Sequence, residues 1–309
     1  MRILVTGGAG FIASAIARAY LDLGHEVTIL DDLSHGKRER VPAGARFLHM
    51  ELLDPELEQV FAESAFDLVN HHAAHVSVRE SVLDPEQDAR VNVLGSLNIF
   101  RLAAAHRVPR VIYAASVAGY GEPQELPVTT EHPLRPMSPY GISKAAAEQY
   151  GFFYAQTAGL RFIALRYANV YGPNAEVEGE AGVVTIFVNK LSQGQAPTIF
   201  GDGEQTRDFV NVQDVVRANV LALEYQGSEC FNISTCTEIT VNQLFALMKE
   251  LSGFPDEALY APELPGEIRR IYLDNSKAKR LLGWHPTVAL REGLAQVVQL
   301  APKPIQSSH

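Results

Sequence analysis

The first half of the chain alternates short, apolar, β-rich runs with stretches of helical periodicity. The apolar runs predict strands at residues 2–6, 26–31, 46–49, 68–72, 110–115 and 161–167. Strands separated by helices pair in parallel through right-handed crossovers. The pattern therefore predicts an α/β fold built on a doubly wound parallel sheet.

The pattern loosens after about residue 170, where Gly172 and Pro173 precede an acidic stretch at residues 176–180. A helix at residues 185–193, short strands and proline-rich turns near residues 262–265 follow. We predict a first domain at residues 1–170 and a smaller C-terminal α/β lobe at residues 171–309. A segment near residues 206–226 is expected to return to the first domain.

Composition and charge narrow the classes of function. The 309 residues are 47% hydrophobic and 20% charged, which is enough apolar content to bury a sizeable core. Lys plus Arg number 26 against 36 for Asp plus Glu, and a net charge of −10 opposes binding to DNA or RNA. We expect no nucleic-acid partner, and we expect helix termini and a few placed basic side chains to hold any anionic ligand.

No segment has the character of a membrane span or a secretion signal. The apolar runs fall short of the roughly 18 residues that a span requires. The apolar start of the chain is interrupted by Gly7, Gly8 and Gly10. The sequence therefore predicts a cytoplasmic protein without a membrane partner.

The cysteine and histidine positions do not suggest a metal site. Cys230 and Cys236 are the only cysteines and lack zinc-ligand spacing, so we expect reduced thiols. His71 and His72 are neighbours on a predicted strand and should face opposite sides, so they cannot easily converge with His75 on one ion. We expect no bound metal.

A glycine-rich turn follows the first strand. The segment at residues 2–13, RILVTGGAGFIA, runs from a strand directly into a helix that begins near Phe11. Gly7 permits the tight turn, Gly10 lets the backbone approach a diphosphate, and the helix N-terminus attracts its negative charge. Ala13 occupies the third small position and still allows close helix–strand packing. Ordinary strand–helix connections also use such turns, so the turn alone does not show that a dinucleotide binds here. The residues that follow the second strand supply the necessary context.

An acidic residue at the end of the second strand supplies that context. Asp31 lies 24 residues after Gly7 (31 − 7 = 24), near the separation of about 20 in dinucleotide-binding folds. Its carboxylate can accept both ribose hydroxyls and would repel a 2′-phosphate, which favours NAD over NADP. Lys37 and Arg38, further along the loop, leave NADP open as an alternative. The predicted sheet is thus of the Rossmann type.

Three polar residues form a candidate chemical centre. Tyr140 and Lys144 are four residues apart at the start of a predicted helix, so they share one helix face. A neighbouring ammonium favours the phenolate and lowers the pKa of a tyrosine from about 10, which makes Tyr140 a candidate base. Ser116 ends the apolar run VIYAAS, at the edge where parallel sheets bind ligands, and can orient a proton.

These residues lie in a series of motifs that resembles the extended short-chain dehydrogenase/reductases, specifically the NAD-dependent nucleotide-sugar epimerase/dehydratase family. The motifs are TGGAGFIA, HHAAHVSV, ASVAGYG, SPYGISKAAAE, LRYANVYGP, IFGDGEQTRDFVNVQDV and PGEIRRIYLDNSKAKRLLGW. They cover nearly the whole chain and are most similar to the 4-epimerases of UDP-glucose. The resemblance implies NAD bound by residues 1–170 and a UDP-sugar held by the C-terminal lobe.

The resemblance also implies roles for individual positions. The implied catalytic residues are Ser116, Tyr140 and Lys144. The implied cofactor positions are Gly7, Gly10, Phe11, Ile12, Asp31, Asp32, Leu33, Ser34, Gly36, Glu51, Leu52, His72, Ala73, Ala74, His75, Asn92, Ala114, Tyr140, Lys144 and Tyr167. The implied substrate positions are Ser116, Tyr140, Asn169, Val183, Thr198, Phe200, Arg207, Val241 and Glu267.

The implied reaction is 4-epimerisation of UDP-glucose and UDP-galactose, or of their N-acetyl forms, through a transient 4-keto sugar. Tyr140 takes the proton of the 4-hydroxyl, hydride passes to NAD and then returns to the other face of the sugar. Dehydratases of the family carry an acid after the active-site Ser or Thr, whereas Val117 and Ala118 follow here. The alternatives are a UDP-glucuronate 4-epimerase, another nucleotide-sugar dehydratase or reductase, and a non-catalytic NAD-binding scaffold.

Two positions depart from the family pattern. Leu264 replaces an Arg that many epimerases carry, which leaves Arg207 as the main candidate for the diphosphate. Arg269 or Arg270 can substitute for the missing residue. Ile271 stands where hexose epimerases often have a bulky Tyr, which suggests room for an N-acetyl group.

Two predicted helices, at residues 88–105 and 139–157, carry more apolar surface than one sheet face can cover. The apolar positions are Leu94, Leu97, Phe100, Ala145, Phe152 and Phe153. The resemblance implies a homodimer formed through a helix bundle, and we expect this assembly here.

Overall fold

The computed structural model describes residues 1–173, 175, 182–263 and 268–301. The strands are β1 (Arg2–Thr6), β2 (Glu26–Asp31), β3 (Arg46–His49), β4 (Leu68–His71), β5 (Arg110–Ser116), β6 (Arg161–Tyr167), β7 (Asn169–Tyr171), β8 (Thr198–Phe200), β9 (Thr206–Arg207), β10 (Phe209–Asn211), β11 (Glu229–Ile233), β12 (Ile239–Thr240) and β13 (Leu259–Ala261). The helices are α1 (Phe11–Asp22), α2 (Leu57–Ser64), α3 (Val78–Leu83), α4 (Pro85–Ala89), α5 (Ser96–Ala105), α6 (Pro139–Ala158), α7 (Val183–Ser192), α8 (Val212–Ala222), α9 (Val241–Ser252), α10 (Ser276–Leu282) and α11 (Leu290–Leu300). The predicted acidic stretch, together with Leu264 and Glu267, lies outside the described residues.

Within this part of the chain, seven strands form one sheet in the order β11-β6-β5-β4-β1-β2-β3. Each neighbouring pair is parallel. Because β1 pairs with both β2 and β4, the strand order reverses at β1, and this is the point where doubly wound sheets bind ligands. The predicted α/β class is confirmed, and β4 and β5 end within one residue of the predicted positions.

Two layers of buried side chains cover the sheet because successive strand residues face opposite sides. Ile3 and Val5 of β1 pack in a layer with α1 and α8. Leu4 packs in the opposite layer with α2, α5 and α6. A third apolar cluster, which includes Phe187 of α7 and Phe245 of α9, forms the core of the C-terminal half. Part of the C-terminal half therefore has a core of its own, while other residues of that half, such as Phe231 and Trp284, pack in the first layer.

Elements from the second half of the chain complete the first sheet. Strand β11 extends the sheet along β6, from Glu229 opposite Ile163 to Ile233 opposite Tyr167. Helix α8 packs against α1 in the same layer. The chain thus returns to the first sheet between residues 212 and 233, while the division into two domains at residue 170 stays a prediction.

The predicted apolar surface on α5 and α6 needs one correction. Phe100 is fully buried, since its ring packs edge-on against Tyr113 at 5.8 Å and Phe162 at 5.3 Å. Phe152 also packs against this core, whereas Phe153 is 54% exposed.

Among the described residues, no helix combines the length and the apolar character needed to cross a membrane.

Candidate active site

The glycine-rich turn after β1 is held against the end of β4. Gly7 has φ +68°, and a Cβ at this position would lie 2.7 Å from the backbone nitrogen of Ala73. Its N–H donates to the Leu30 carbonyl over 2.8 Å, and the Gly10 N–H donates to the Gly7 carbonyl over 3.0 Å. A side chain at residue 7 would therefore clash with backbone, which explains the glycine.

The N-terminus of α1 is open to an anion. Gly10 occupies the N-cap and makes no side-chain capping bond, and the first turn from Phe11 contains no acidic residue. The N–H groups of this turn and the helix dipole therefore favour a diphosphate. Ile12 lies in the same turn, so the turn brings the predicted positions Phe11 and Ile12 to one edge of the sheet.

Asp31 at the end of β2 is fixed by two backbone donors. Its carboxylate accepts the N–H of Ala9 over 2.9 Å and the N–H of Leu33 over 2.9 Å. Burial raises its pKa, and these two bonds oppose that shift. Each carboxylate oxygen retains a second acceptor position for a ribose hydroxyl. Arg38, in contrast, stacks 4.4 Å from the Phe47 ring centroid, where its guanidinium already has a partner.

The remaining predicted cofactor positions line the same edge of the sheet. Asp32, Ser34 and Gly36 follow β2, and the Ser34 hydroxyl donates to Asp32 over 2.6 Å. Glu51 and Leu52 follow β3, Ala114 lies in β5, and Tyr167 ends β6. The carboxyl ends of neighbouring parallel strands meet here, so the topology gathers residues that are distant in sequence.

The two histidines at the end of β4, His71 in the strand and His72 after it, have separate partners. His71 Nδ1 lies 2.7 Å from Thr6 Oγ1, and its Nε2 lies 2.9 Å from Ser96 Oγ. Burial lowers the pKa of His71 well below its usual value, which keeps it neutral. His72 Nε2 lies 3.0 Å from the Tyr167 hydroxyl. Thr6 also accepts the Ala73 N–H over 3.1 Å, so this network positions the strand end beside the glycine turn.

Asn92 joins the strand end to the helices. Its Oδ1 accepts the His75 N–H over 2.8 Å, and its Nδ2 donates to the His75 carbonyl over 2.8 Å. The same amide donates to Asp88 over 3.0 Å and to Ser143 over 3.2 Å. Asn92 thereby fixes the backbone at His75 relative to α6, which carries Ser143.

Ser116 and Tyr140 lie on two segments that touch. The Ser116 hydroxyl oxygen accepts the N–H of Ala118 over 3.2 Å and so begins the turn after β5. A Cβ on Gly141 would lie 2.6 Å from the Ala118 carbonyl oxygen, so the first turn of α6 contacts the turn after Ser116. The Tyr140 N–H donates to Ser81 over 3.1 Å. Glycine at position 141 thus permits the approach of the two segments.

Lys144 is one helical turn beyond Tyr140 and is only 5% exposed. Its Nζ lies 4.5 Å from the centroid of the Tyr113 ring, and the Tyr113 hydroxyl donates to the Lys144 carbonyl over 3.3 Å. Burial lowers the pKa of Lys144 to about 7, although the charges of Asp88 and Glu148 act in the opposite direction. This ammonium is a buried charge on the helix face that carries Tyr140.

The predicted substrate positions belong to short elements of the C-terminal half. They are Asn169 in β7, Val183 at the start of α7, Thr198 and Phe200 in β8, Arg207 in β9 and Val241 at the start of α9. Arg79 of α3 approaches Phe200, with its guanidinium carbon 5.9 Å from the ring centroid. This contact places β8 near α3, the helix that follows the end of β4. Glu267 lies outside the described residues.

The two basic residues proposed as substitutes, Arg269 and Arg270, are paired with acids. Arg269 donates to both carboxylate oxygens of Asp202, over 2.7 and 2.8 Å. Arg270 pairs in the same way with Glu238, over 2.7 and 2.8 Å. The expectation that one of them replaces the missing Arg therefore conflicts with their bidentate partners. Ile271 is buried in the core, so it presents no open wall to an acetyl group.

Tyr113 and Asp88 also belong to this centre, although the sequence did not predict them. Tyr113 lies three residues before Ser116 in the run VIYAAS, and its ring supports the Lys144 ammonium. That run was visible in the sequence, but the packing of α6 across it was not. Asp88 comes from a short helix, α4, and no motif marks it.

The fold and these side chains together define a dinucleotide-binding α/β protein with serine, tyrosine and lysine at the carboxyl edge of its sheet. The chain belongs to the NAD dependent epimerase/dehydratase family, whose model matches residues 3–234. Both the predicted family and its NAD dependence are thereby confirmed.

Three solved structures illustrate the similarity. The UDP-glucose 4-epimerase of Thermotoga maritima, solved with UDP-glucose, is 44% identical over 97% of this chain and 98% of that chain, with a TM-score of 0.95. The Thermus thermophilus UDP-glucose 4-epimerase, in complex with NAD, is 40% identical over 97% and 98%, with a TM-score of 0.92. The UDP-N-acetylglucosamine 4-epimerase of Methanobrevibacter ruminantium, in complex with UDP-N-acetylmuramic acid, is 33% identical over 97% and 97%, with a TM-score of 0.92.

Proposed function

We propose that this chain catalyses the NAD-dependent 4-epimerisation of a UDP-sugar, with UDP-glucose and UDP-galactose as the principal pair. The observation that carries the proposal is the buried Lys144 ammonium, one turn from Tyr140 and beside the segment that begins at Ser116. The activities named for the similar structures from Thermotoga and Thermus support it.

The residues at the sheet edge fit NAD. Gly7 has the conformation and the close backbone neighbour that a diphosphate-binding turn requires, and the N-terminus of α1 carries no competing acid. Asp31 is held with acceptor positions left for ribose hydroxyls. When bound there, NAD supplies a hydride acceptor that can return the same hydride.

The chain's own residues manage the proton. Tyr140 accepts the proton of the sugar's 4-hydroxyl and later returns it. The Lys144 ammonium favours the phenolate form of Tyr140, because an opposite charge on the same helix face stabilises it. Ser116 accepts one backbone bond, from Ala118, and its own hydroxyl proton can be donated to the sugar oxygen.

Arg207 is the proposed contact for the diphosphate. One of its terminal nitrogens donates to the carbonyls of Thr206 and Ile268, over 2.8 and 2.7 Å. These bonds use the two N–H groups of that nitrogen and orient the guanidinium, whose planar fork of donors is suited to phosphate. We propose that the diphosphate is held at this fork.

The range of sugars is a finer part of the proposal. Val117 and Ala118 follow Ser116, so an acid suited to water elimination is missing from this turn and a dehydratase is disfavoured. The similar enzyme from Methanobrevibacter is named for an N-acetylated sugar, which keeps the N-acetyl forms among the proposed substrates. UDP-glucuronate stays an alternative substrate.

We also propose that the protein works as a cytoplasmic homodimer. Large apolar side chains on α6 and on the segment before α5 are 42–55% exposed: Leu94, Ile142, Tyr150 and Phe153. Helices α5 and α6 pack side by side, so a second copy can cover these residues with the same two helices. Light scattering should give a dimer at micromolar concentration, and a monomer would contradict this proposal.

The decisive experiment is an assay with a panel of UDP-, dTDP- and GDP-sugars without added NAD. We expect interconversion of UDP-glucose and UDP-galactose, separated by chromatography, with no net change in absorbance at 340 nm because the hydride returns. Turnover of UDP-glucuronate alone would favour the alternative substrate. Absence of turnover with every sugar would favour the non-catalytic scaffold.

Tyr140→Phe tests the assigned base. We expect kcat to fall by about 10²- to 10⁴-fold, as for loss of a general base, while NAD stays bound. Tyr260→Phe is the control, because it removes a hydroxyl from an exposed tyrosine of β13 that is not among the predicted site residues. Unchanged turnover in Tyr140→Phe would remove this residue from the mechanism.

A further inference from the structure

Three side chains suited to metal binding converge beside the cofactor positions. His35 lies in the loop after β2, His75 follows β4, and Glu80 lies in α3. One ligand atom from each lies within 4.8 Å of the other two. His75 Nε2 is 3.0 Å from Glu80 Oε2, and the rings of His35 and His75 are 5.8 Å apart at 64°. We call these three residues the His35 cluster.

The backbone of His75, the central residue of the His35 cluster, is held in place by hydrogen bonds. Asn92 bonds both the N–H and the carbonyl of His75, each over 2.8 Å. Glu80 is fixed through its backbone N–H, which donates to the buried Ser77 hydroxyl over 3.1 Å. Two of the three ligands therefore lie on backbone that does not need to reorganise.

A buried carboxylate faces the other ring nitrogen of His75. Asp88 is 1% exposed, and its Oδ1 lies 3.6 Å from His75 Nδ1. Within the described part of the chain, His75 Nδ1 and Asp88 Oδ2 are both buried without a hydrogen-bond partner. Unpartnered buried polar atoms are costly, so this pair calls for an explanation.

Metal binding at Nε2 explains the unpartnered Nδ1 of His75, which faces the Asp88 carboxylate. A histidine that binds a metal through one nitrogen carries its proton on the other, and that N–H usually donates to a carboxylate. With an ion at Nε2, the Nδ1–H of His75 faces Asp88, and a small ring movement closes the 3.6 Å gap to a hydrogen bond with Oδ1, which also accepts from Asn92. Two imidazoles and one carboxylate, with a fourth position for water, form a donor set that Zn²⁺ accepts.

We propose that the His35 cluster is a binding site for a zinc-class divalent ion, with Asp88 as the positioning residue behind His75. This proposal departs from the sequence-based expectation of no bound metal, which rests on the cysteines and on His71, His72 and His75. Of these histidines, His71 and His72 have other partners. The ion joins the loop after β2 to the start of α3. It therefore ties together two segments that border the predicted cofactor groove.

The competing explanation is a His75 ring that is shared between Glu80 and Asp88 alone. That arrangement satisfies both carboxylates without a metal, and it needs no contribution from His35. Substitution of His35 therefore discriminates between the two explanations. This residue is also absent from the predicted cofactor and substrate positions.

The test is a titration of the purified protein, with its retained cofactor, by Zn²⁺ in a calorimeter and by Co²⁺ in an absorption spectrometer. The wild-type protein should bind one Zn²⁺, and Co²⁺ should give the visible bands of a tetrahedral site. His35→Gln and Glu80→Gln should abolish saturable binding. Asp88→Asn should weaken binding by about 10- to 100-fold, as for other carboxylates behind a metal-bound histidine.

His285→Gln is the matched control, because it removes an exposed histidine outside the His35 cluster. Thermal melting of each variant checks that the fold is kept. The proposal is overturned if the wild-type protein shows no saturable binding, or if His35→Gln binds Zn²⁺ as tightly as the wild type. Since the readout is binding, its result is independent of the sugar assays.

Discussion

Helix α6 carries two buried charges, Lys144 and Glu148, one turn apart on the same face, and their surroundings differ. Glu148 accepts the Arg166 Nε over 3.0 Å, and Arg166 also donates to the Tyr120 hydroxyl over 2.7 Å and to the Thr130 carbonyl over 3.0 Å. Across the described residues, the Lys144 ammonium has no comparable ion pair and rests on an aromatic ring.

The difference distinguishes a structural charge from a chemical one. The Glu148 carboxylate raises the pKa of Arg166 against the effect of burial, so this guanidinium stays charged at every relevant pH. Burial instead lowers the pKa of Lys144 to about 7. A buried charge without an ion pair costs stability, and proteins keep such groups mainly at functional sites. The comparison therefore points to Lys144 as the residue retained for chemistry.

The largest expected effect is a loss of activity when the charge of Lys144, which has no ion pair like that of Glu148, is removed. Lys144→Met should lower kcat by about 10²- to 10⁴-fold, because the phenolate of Tyr140 loses its neighbouring cation. Steady-state assays of UDP-galactose turnover measure this change. Lys279→Met, at an exposed lysine of α10, should keep wild-type activity. If Lys144→Met retains full activity, the distinction between the two charges fails.

Removing one partner of the buried pair between Glu148 and Arg166 should lower the stability of the fold. Glu148→Gln leaves the Arg166 guanidinium buried without its counter-ion, which should lower the free energy of unfolding by about 3–5 kcal/mol. Urea denaturation followed by circular dichroism measures the loss. Glu250→Gln is the control, because it removes one partner of an exposed pair with Arg291 and should cost less than about 1 kcal/mol. Equal losses in the two variants would contradict the assignment.

Removing both members of the buried pair should be milder than removing one. In Glu148→Leu/Arg166→Met no uncompensated charge stays in the core, so the double variant should be more stable than Glu148→Gln. The hydroxyl of Tyr120 and the carbonyl of Thr130 lose a donor, which keeps the variant below wild type. A double variant less stable than Glu148→Gln would show that the uncompensated guanidinium is not the main cause of the loss.

The smallest expected effect is a pH-dependent gain in stability. Folded Lys144 loses its proton above about pH 7, whereas the unfolded chain keeps it to about pH 10.4. The unfolded state thus binds more protons between these values, and this lysine's destabilising contribution fades as the pH rises. Lys144→Met should therefore raise the melting temperature more at pH 6 than at pH 10. A gap that widens with pH would contradict the assigned direction.

Local patterns in the sequence predict the sheet because each strand is a run of apolar residues buried between two helical layers. The same patterns do not predict the position of β11. This five-residue strand, ECFNI, is placed in the sheet only by its pairing with β6, which is distant in sequence. They also misplace Phe100. Apolar periodicity predicts that a helix face is buried, but it does not show whether the same chain or a second copy covers that face.

In the candidate site, too, the sequence predicts local features but not contacts between residues that are far apart in the chain. The glycine turn and the spacing of Tyr140 and Lys144 are local, so the sequence predicts them directly. The pairing of Arg269 with Asp202 spans 67 residues, and the His35 cluster draws on two separate loops and a helix. Contacts of this kind depend on the tertiary fold, and spacing along the chain does not reveal them.

The position of β11 has a consequence for the nascent chain. While residues 229–233 are still inside the ribosome, β6 has an open edge with the apolar sequence FIAL, free to pair with any other strand. A fragment that stops near residue 170 keeps that edge permanently. Such a fragment should aggregate despite containing the whole glycine turn, and soluble truncations should have to extend past residue 233.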